Sequence, residues 1–135
     1  MDTVSAVRRS EIMSRVRATD SSPEIAVRRL AHRLGYRYRL HQRDLPGCPD
    51  LVFSGRRKVI FVHGCFWHRH KGCSLARMPK SHEQFWRPKL EGNAQRDKRN
   101  ERCLRKAGWG VMTIWECQIS NGERLVTRIG RFLNA

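Results

Sequence analysis

The chain is poor in acid: 12 Asp plus Glu stand against 28 Lys plus Arg in 135 residues. The imbalance leaves a formal net charge of +16 at pH 7 and a sequence pI near 11.1. A polyanion is the natural partner, and nucleic acid fits better than a membrane, because the cations are spread through the expected helices instead of rimming an apolar face. Apolar runs are short. None nears the ~20 residues of a bilayer-spanning helix, and no apolar signal stretch follows Met1. Cysteine is scarce and odd in number: Cys48, Cys65, Cys73, Cys103 and Cys117. A secreted disulfide framework is not expected on that count, and the expected location is the cytoplasm, with reduced thiols. Repeats and low-complexity segments are also lacking. With 39% hydrophobic residues the chain can build one core and is too short for two independent ones.

Between Arg8 and Arg17, Ile12, Met13 and Val16 share one helical face, and Thr19-Asp20-Ser21-Ser22 breaks the pattern. A basic N-terminal arm or short helix is therefore expected over residues 1–22. Ser22-Pro23-Glu24 reads as an N-cap, a proline at the first helical position and an early acid. The helix it opens should turn Ile25, Val27, Leu30, Ala31 and Leu34 inward and end at Gly35. Tyr36 to Leu40 alternates as a strand does; Leu51-Val52-Phe53 and Lys58 to Val62 are short apolar strands joined by a hairpin turn at Ser54-Gly55-Arg56-Arg57. Ser81 with Gln84 has the form of a capping box for a helix through Phe85, Trp86 and Leu90 to about Gly92. Asn93 is expected to cap a second, strongly basic helix from Ala94 to Ala107, which Gly108 ends. Gly110 to Trp115 forms the last strand, and a closing helix from Asn121 to Leu133 buries Leu125, Val126, Ile129 and Leu133. The order α-β-β-β-α-α-β-α predicts an α/β fold, a mixed sheet flanked by helices.

The densest chemistry follows Val62. In His63-Gly64-Cys65-Phe66-Trp67-His68-Arg69-His70-Lys71-Gly72-Cys73, the residues Cys65, His68, His70 and Cys73 fall within nine positions, and tetrahedral zinc takes Cys thiolate and His nitrogen. Three ligands can come from this loop alone. Cys117, after the apolar run from Val111, can supply a fourth if that strand lies beside the loop. Two of the three loop histidines are then left for other work, and spacing leaves open which.

Metal-assisted catalysis needs an acid, and Asp50, after Pro49 at the mouth of a strand, is well placed. The antiparallel return of the chain brings the end of the next strand, at Val62, beside it. A carboxylate there can hold Mg²⁺, a hard ion that prefers oxygen ligands and bridges to phosphate. Glu24 is a second candidate carboxylate, although helix capping explains an acid there equally well.

Pro49-Asp50 on a hairpin, His63-Gly64-Cys65-Phe66-Trp67-His68, Glu83-Gln84-Phe85-Trp86, Asn93 with Arg96-Asp97, and Trp115-Glu116-Cys117 together resemble the very-short-patch repair (Vsr) DNA mismatch endonuclease family, from about Arg8 to Cys117. The resemblance implies a restriction-endonuclease-like fold in a single nuclease domain over residues 23–135, with a structural Zn²⁺. It also implies Mg²⁺-dependent nicking of one strand of double-stranded DNA 5′ to the T of a T:G mismatch, the start of very short patch repair of deaminated 5-methylcytosine. By position, Asp50 is implied as the Mg²⁺ carboxylate and His68 as the general base that activates water. Glu24 is implied as an acid acting through metal-bound water, and His63 as a phosphate or transition-state contact. The implied zinc set is Cys65, His70, Cys73 and Cys117. Phe66, Trp67 and Trp86 resemble an aromatic wedge that unstacks bases beside the mismatch, and Asn93 is carried over as a further DNA contact. Mismatch-repair proteins are implied as partners, and a monomer is expected.

The chain departs from the wider nuclease pattern, in which the second strand carries an acid and, two residues on, a lysine. Here that place reads Val62-His63-Gly64. Val62 can offer only its backbone carbonyl to the cation, and the missing lysine makes His68 more necessary. A non-catalytic zinc-stabilised DNA-binding module would need neither Asp50 nor His68, and a restriction-like enzyme cutting both strands would not need the wedge.

Overall fold

The computed structural model describes residues 21–135, so the basic arm expected before them lies outside the described residues. Helix α1 (Ser22–Arg33) is followed by β1 (Arg39–Leu40), β2 (Leu51–Phe53), β3 (Lys58–His63), helix α2 (Glu83–Lys106), β4 (Gly110–Trp115) and helix α3 (Gly122–Asn134). The strands form one sheet in the order β1-β2-β3-β4. β1 and β3 each run antiparallel to β2, and β3 and β4 are parallel.

Period-two alternation divides the strand residues between two cores. Leu51, Phe53, Ile60, Met112 and Ile114 pack with Val27 and Ala31 of α1 and Leu125, Ile129 and Leu133 of α3. On the opposite face Val52, Val59, Phe61 and Val111 pack with Leu104 of α2. Helices therefore cover both faces of a mixed sheet, as the element pattern predicts.

Element boundaries differ from expectation at several points. The two helices expected on either side of Asn93 are one, α2, because Trp86, Leu90, Asn93 and Leu104 form a continuous buried stripe that Gly92 does not interrupt. Asn93 consequently caps nothing. The expected capping box at Ser81 is also absent: the N-cap of α2 is His82, in the left-handed conformation and without a side-chain cap. α1 begins one residue early, with Ser21 as its N-cap. Leu34 is exposed instead of inward, and Glu24 takes the buried stripe with Val27 and Ala31. Val126 is only half-buried. Tyr36 to Tyr38 are not strand; Tyr36 and Tyr38 pack edge-on against Phe53 instead.

Part of the basic excess serves the fold. The β2–β3 turn carries Arg56 and Arg57 and leads into Lys58 of β3, and all three donate to carbonyls at helix ends. Arg56 reaches Leu133 O at 2.9 Å, Arg57 reaches Ala107 O at 2.9 Å, and Lys58 reaches Phe132 O and Ala135 O. Cations at helix C-termini meet the negative end of the dipole and satisfy orphan carbonyls. Among the described residues no helix is long and apolar enough to cross a membrane.

Candidate active site

Two clusters meet at the ends of β2, β3 and β4. The β2–β3 register pairs Leu51 with Ile60, which sets Asp50 beside the end of β3. There the Val62 N–H donates to Asp50 Oδ2 at 2.7 Å. Glu24, in the first turn of α1, is 4% exposed and forms a side-chain hydrogen bond with Asp50. Burial, foremost, pushes the Asp50 carboxyl up to about 7; the hydrogen bond from Val62 opposes the rise and Glu24 adds to it. Two carboxyl groups this close cannot both stay ionised without a proton or cation between them. The pair therefore suits a hard divalent cation.

The second cluster grows from the loop after β3. Its backbone coils: His68 N–H donates to Gly64 O at 3.1 Å and His70 N–H to Cys65 O at 3.0 Å, with Arg69 left-handed. The coil sends alternate histidines to opposite sides. His68 Nδ1 lies 2.5 Å from Asp97 Oδ2 on α2, and its ring stacks on His63 at 3.8 Å and 5°. His63 is 7% exposed, and its Nδ1 has no hydrogen-bond partner among the described residues. Burial, reinforced by His68 and opposed by Asp97, pushes its pKa down to about 3, so His63 is neutral. Glu24, Asp50, His63, His68 and Asp97 all line one cleft of about 600 Å³.

His70 turns the other way. The parallel register sets His63 beside Trp115, so Cys117, just past the end of β4, meets the loop. Cys65 N–H donates to Glu116 Oε1 at 3.3 Å and ties loop to strand, while Trp115 stacks on His70 at 4.2 Å. His70 Nδ1 lies 3.6 Å from Cys65 Sγ and 3.4 Å from Cys117 Sγ. The ligand atoms of Cys65, His70, Cys73 and Cys117 all lie within 4.8 Å of one another. Tetrahedral bonds of about 2.3 Å to sulfur and 2.05 Å to nitrogen require S···N edges of about 3.5 Å, so the four residues fit a metal ion of that geometry. Without one, burial pushes the Cys65 thiol up to about 12.

Phe66 and Trp67 both pack on Trp86 and Leu90. The coiled loop brings both rings to one side, with centroids 5.5 and 5.9 Å from Trp86. Trp86, 9% exposed, is the floor of the cluster, while Phe66 and Trp67 line the cleft. Asn93 is 9% exposed; its amide donates to Trp67 O at 3.1 Å and accepts from Arg96.

Residues 1–75 match the family described as DNA mismatch endonuclease Vsr. The chain is 48% identical to a type II nicking enzyme, V.XorIIP, of Xanthomonas oryzae pv. oryzae, over 133 residues that cover 98% of this chain and 97% of that protein. It is 38% identical to the DNA mismatch endonuclease Vsr of Escherichia coli over 117 residues, 87% of this chain and 74% of that protein. The chain belongs to the Vsr family. It is by membership a DNA endonuclease, with DNA as its substrate.

In this Vsr-family chain the geometry adds residues to which sequence reasoning assigned no task. Asp97 lies one helical turn beyond Asn93, and that spacing was a legible signal once His68 was placed nearby. Glu116 was visible only as part of a motif. His41 follows the β1 pair Leu40–Leu51 and so falls opposite Asp50; with β1 only two residues long, its alternation carried too little signal.

Proposed function

We propose that this Vsr-family endonuclease nicks one strand of duplex DNA 5′ to the T of a T:G mismatch, in a Mg²⁺-dependent reaction. The carrying observation is the convergence of a carboxylate pair, Asp50 with Glu24, and a carboxylate-held histidine, His68 with Asp97, on one cleft edged by Phe66 and Trp67. A pure DNA-binding module has no use for that convergence.

Asp50, with the Val62 carbonyl, would hold the divalent cation, and Glu24 would act on it through water. When bound it supplies charge neutralisation and Lewis-acid polarisation at the scissile phosphate. Asp97 accepts from His68 Nδ1 and so leaves Nε2 to take the proton of an attacking water. His63, neutral through burial, offers an uncharged hydrogen-bonding edge to a phosphate oxygen. Stacking on His63 and the bond to Asp97 restrict the His68 ring to one orientation, which keeps its Nε2 aimed without reorganisation.

Phe66 and Trp67 act as the wedge at the mismatch and Trp86 as its support, since unstacking costs a few kcal/mol per step and a mispaired step opens more easily. Asn93 braces the wedge through the Trp67 carbonyl. Zn²⁺ at Cys65, His70, Cys73 and Cys117 pins the loop that carries His68 and both aromatics, a role supported by the thiolate-rich, closed donor set. We assign residues 23–135 to one restriction-endonuclease-like domain acting as a monomer. Its place is the start of very short patch repair of deaminated 5-methylcytosine, where mismatch-repair proteins are the partners.

The test is direct. The protein is incubated with Mg²⁺ and end-labelled duplexes carrying T:G or T:A at the same position, and breaks are mapped on each strand. A single break 5′ to the mispaired T is expected. Equal cutting of T:A, or breaks in both strands, refutes the assignment.

A further inference from the structure

His41 belongs to neither the zinc cluster nor the His68 pair, yet it stands beside the carboxylates. Its backbone is left-handed (φ 47°), a conformation that His, Asn and Asp tolerate better than most residues. Its N–H donates to Asp50 O at 3.3 Å, which continues the β1–β2 pairing by one residue. The turn swings the imidazole toward α1. There Nε2 lies 2.9 Å from Glu24 Oε2 and 3.9 Å from Asp50 Oδ1, with the side chain 19% exposed. Arg28 donates to the same Glu24 oxygen.

We propose that His41 is a positioning residue of the cation site: with Arg28 it clamps the Glu24 carboxylate so that it faces Asp50. This rests on the reading of Asp50 and Glu24 as the cation carboxylates. Two donors on one oxygen fix the rotation of the carboxylate about its last torsion, and so fix which oxygen meets Asp50. A carboxylate free to rotate would present the cation with a site that must be ordered at each binding event, and ordering lowers affinity. In the tautomer that carries its proton on Nε2, His41 donates to Glu24 and that nitrogen has no lone pair left for the cation. A residue kept only for the turn could as well be Asn, which accepts the left-handed backbone but is too short to reach Glu24.

The two roles separate by substitution. His41→Asn keeps the turn and loses the clamp; His41→Gln places an amide donor near the reach of Nε2. Mn²⁺ serves as the probe, its binding to the protein as purified being followed by loss of the free-ion EPR signal, beside melting temperature and half-saturating Mg²⁺ in single-turnover nicking of a T:G duplex. For His41→Asn we expect an unchanged melting temperature, Mn²⁺ affinity weakened roughly tenfold, the size of one charge-assisted hydrogen bond, and half-saturating Mg²⁺ raised to match. His41→Gln should stay within about threefold of wild type. Wild-type Mn²⁺ affinity in His41→Asn overturns the proposal. So does equal loss in both variants, which would mean that the imidazole itself is used. If His41→Asn melts early, His41→Gln decides alone: retained affinity supports the clamp and lost affinity overturns it. A wild-type protein that fails to nick T:G duplexes refutes the proposed function, while the Mn²⁺ series still judges His41.

Discussion

Replacing Asp50 by Asn should stabilise the fold and abolish the reaction together. The Asp50 carboxyl is raised from 3.8 to about 7, first by burial and then by Glu24. A raised acid binds its proton more tightly when folded than when unfolded, so between pH 3.8 and 7 the fold gains as pH falls and loses as pH rises. Above pH 7 the full penalty of the buried charge is present. A rise of that size corresponds to about 4 kcal/mol, which we halve for the partial exposure and the shared proton with Glu24, giving about 2 kcal/mol at pH 8. Asn keeps the acceptor for Val62 N–H and carries no charge. His63 acts in the opposite sense: held down to about 3, it stays neutral in the fold near pH 6 while the unfolded chain takes up that proton, so acid costs stability there. His63 is common to both proteins and cancels in their difference. Without added Mg²⁺, Asp50→Asn should therefore melt above wild type at pH 8, by about 8 °C for 2 kcal/mol. About a third of that advantage should vanish at pH 6, measured by thermal denaturation. Nicking with Mg²⁺ should be lost while T:G binding stays within roughly tenfold, about 1.4 kcal/mol. A variant that melts below wild type at pH 8, or that nicks at near wild-type rate, refutes the reasoning.

Removing the proposed zinc set should unfold the chain. Cys65→Ala, His70→Ala, Cys73→Ala or Cys117→Ala should lose one metal ion per chain by native mass spectrometry and melt early, since structural zinc contributes about 10–16 kcal/mol, as much as a domain's whole stability; metal-free protein that keeps its melting temperature contradicts the site. His68→Ala should fold and keep that metal but lose roughly 10²-fold in single-turnover rate, and Asp97→Asn should lose a smaller factor through the freed ring. If His68→Ala releases metal while His70→Ala keeps it, the two histidines are reversed. Phe66→Ala and Trp67→Ala should lose the preference for T:G over T:A while salt-sensitive DNA binding persists. Trp86→Ala should instead destabilise the fold by about 3 kcal/mol, because its ring is buried; equal melting of all three variants would deny the division between wedge and support.

Local chemistry was legible in the residues alone. Short apolar runs mark Leu51 to Phe53 and Lys58 to Val62 as strands, and charge points to a polyanion. The string from His63 to His68 with a distal Trp-Glu-Cys was specific enough to reach the Vsr family. Spacing also collected the donors of a metal site, because Cys65, His70 and Cys73 share one short loop.

Tertiary structure decided which donors meet. His68 and His70 stand two residues apart and spacing cannot rank them; the coil of the loop sends one to Asp97 and the other to Cys117, and both partners are far along the chain. Asn93 looked like a helix cap because capping chemistry is local, but packing of Trp86 and Leu90 against the loop kept α2 unbroken through it. Glu24 is read equally well as a capping acid until the packing of α1 on the sheet sets it against Asp50. His41 acquires a role only when a two-residue strand pairs with β2. The physical reason is common to all four: periodicity and capping are fixed by neighbours within a turn or two, whereas burial, pKa and ligand geometry are set by groups that only the folded sheet brings together.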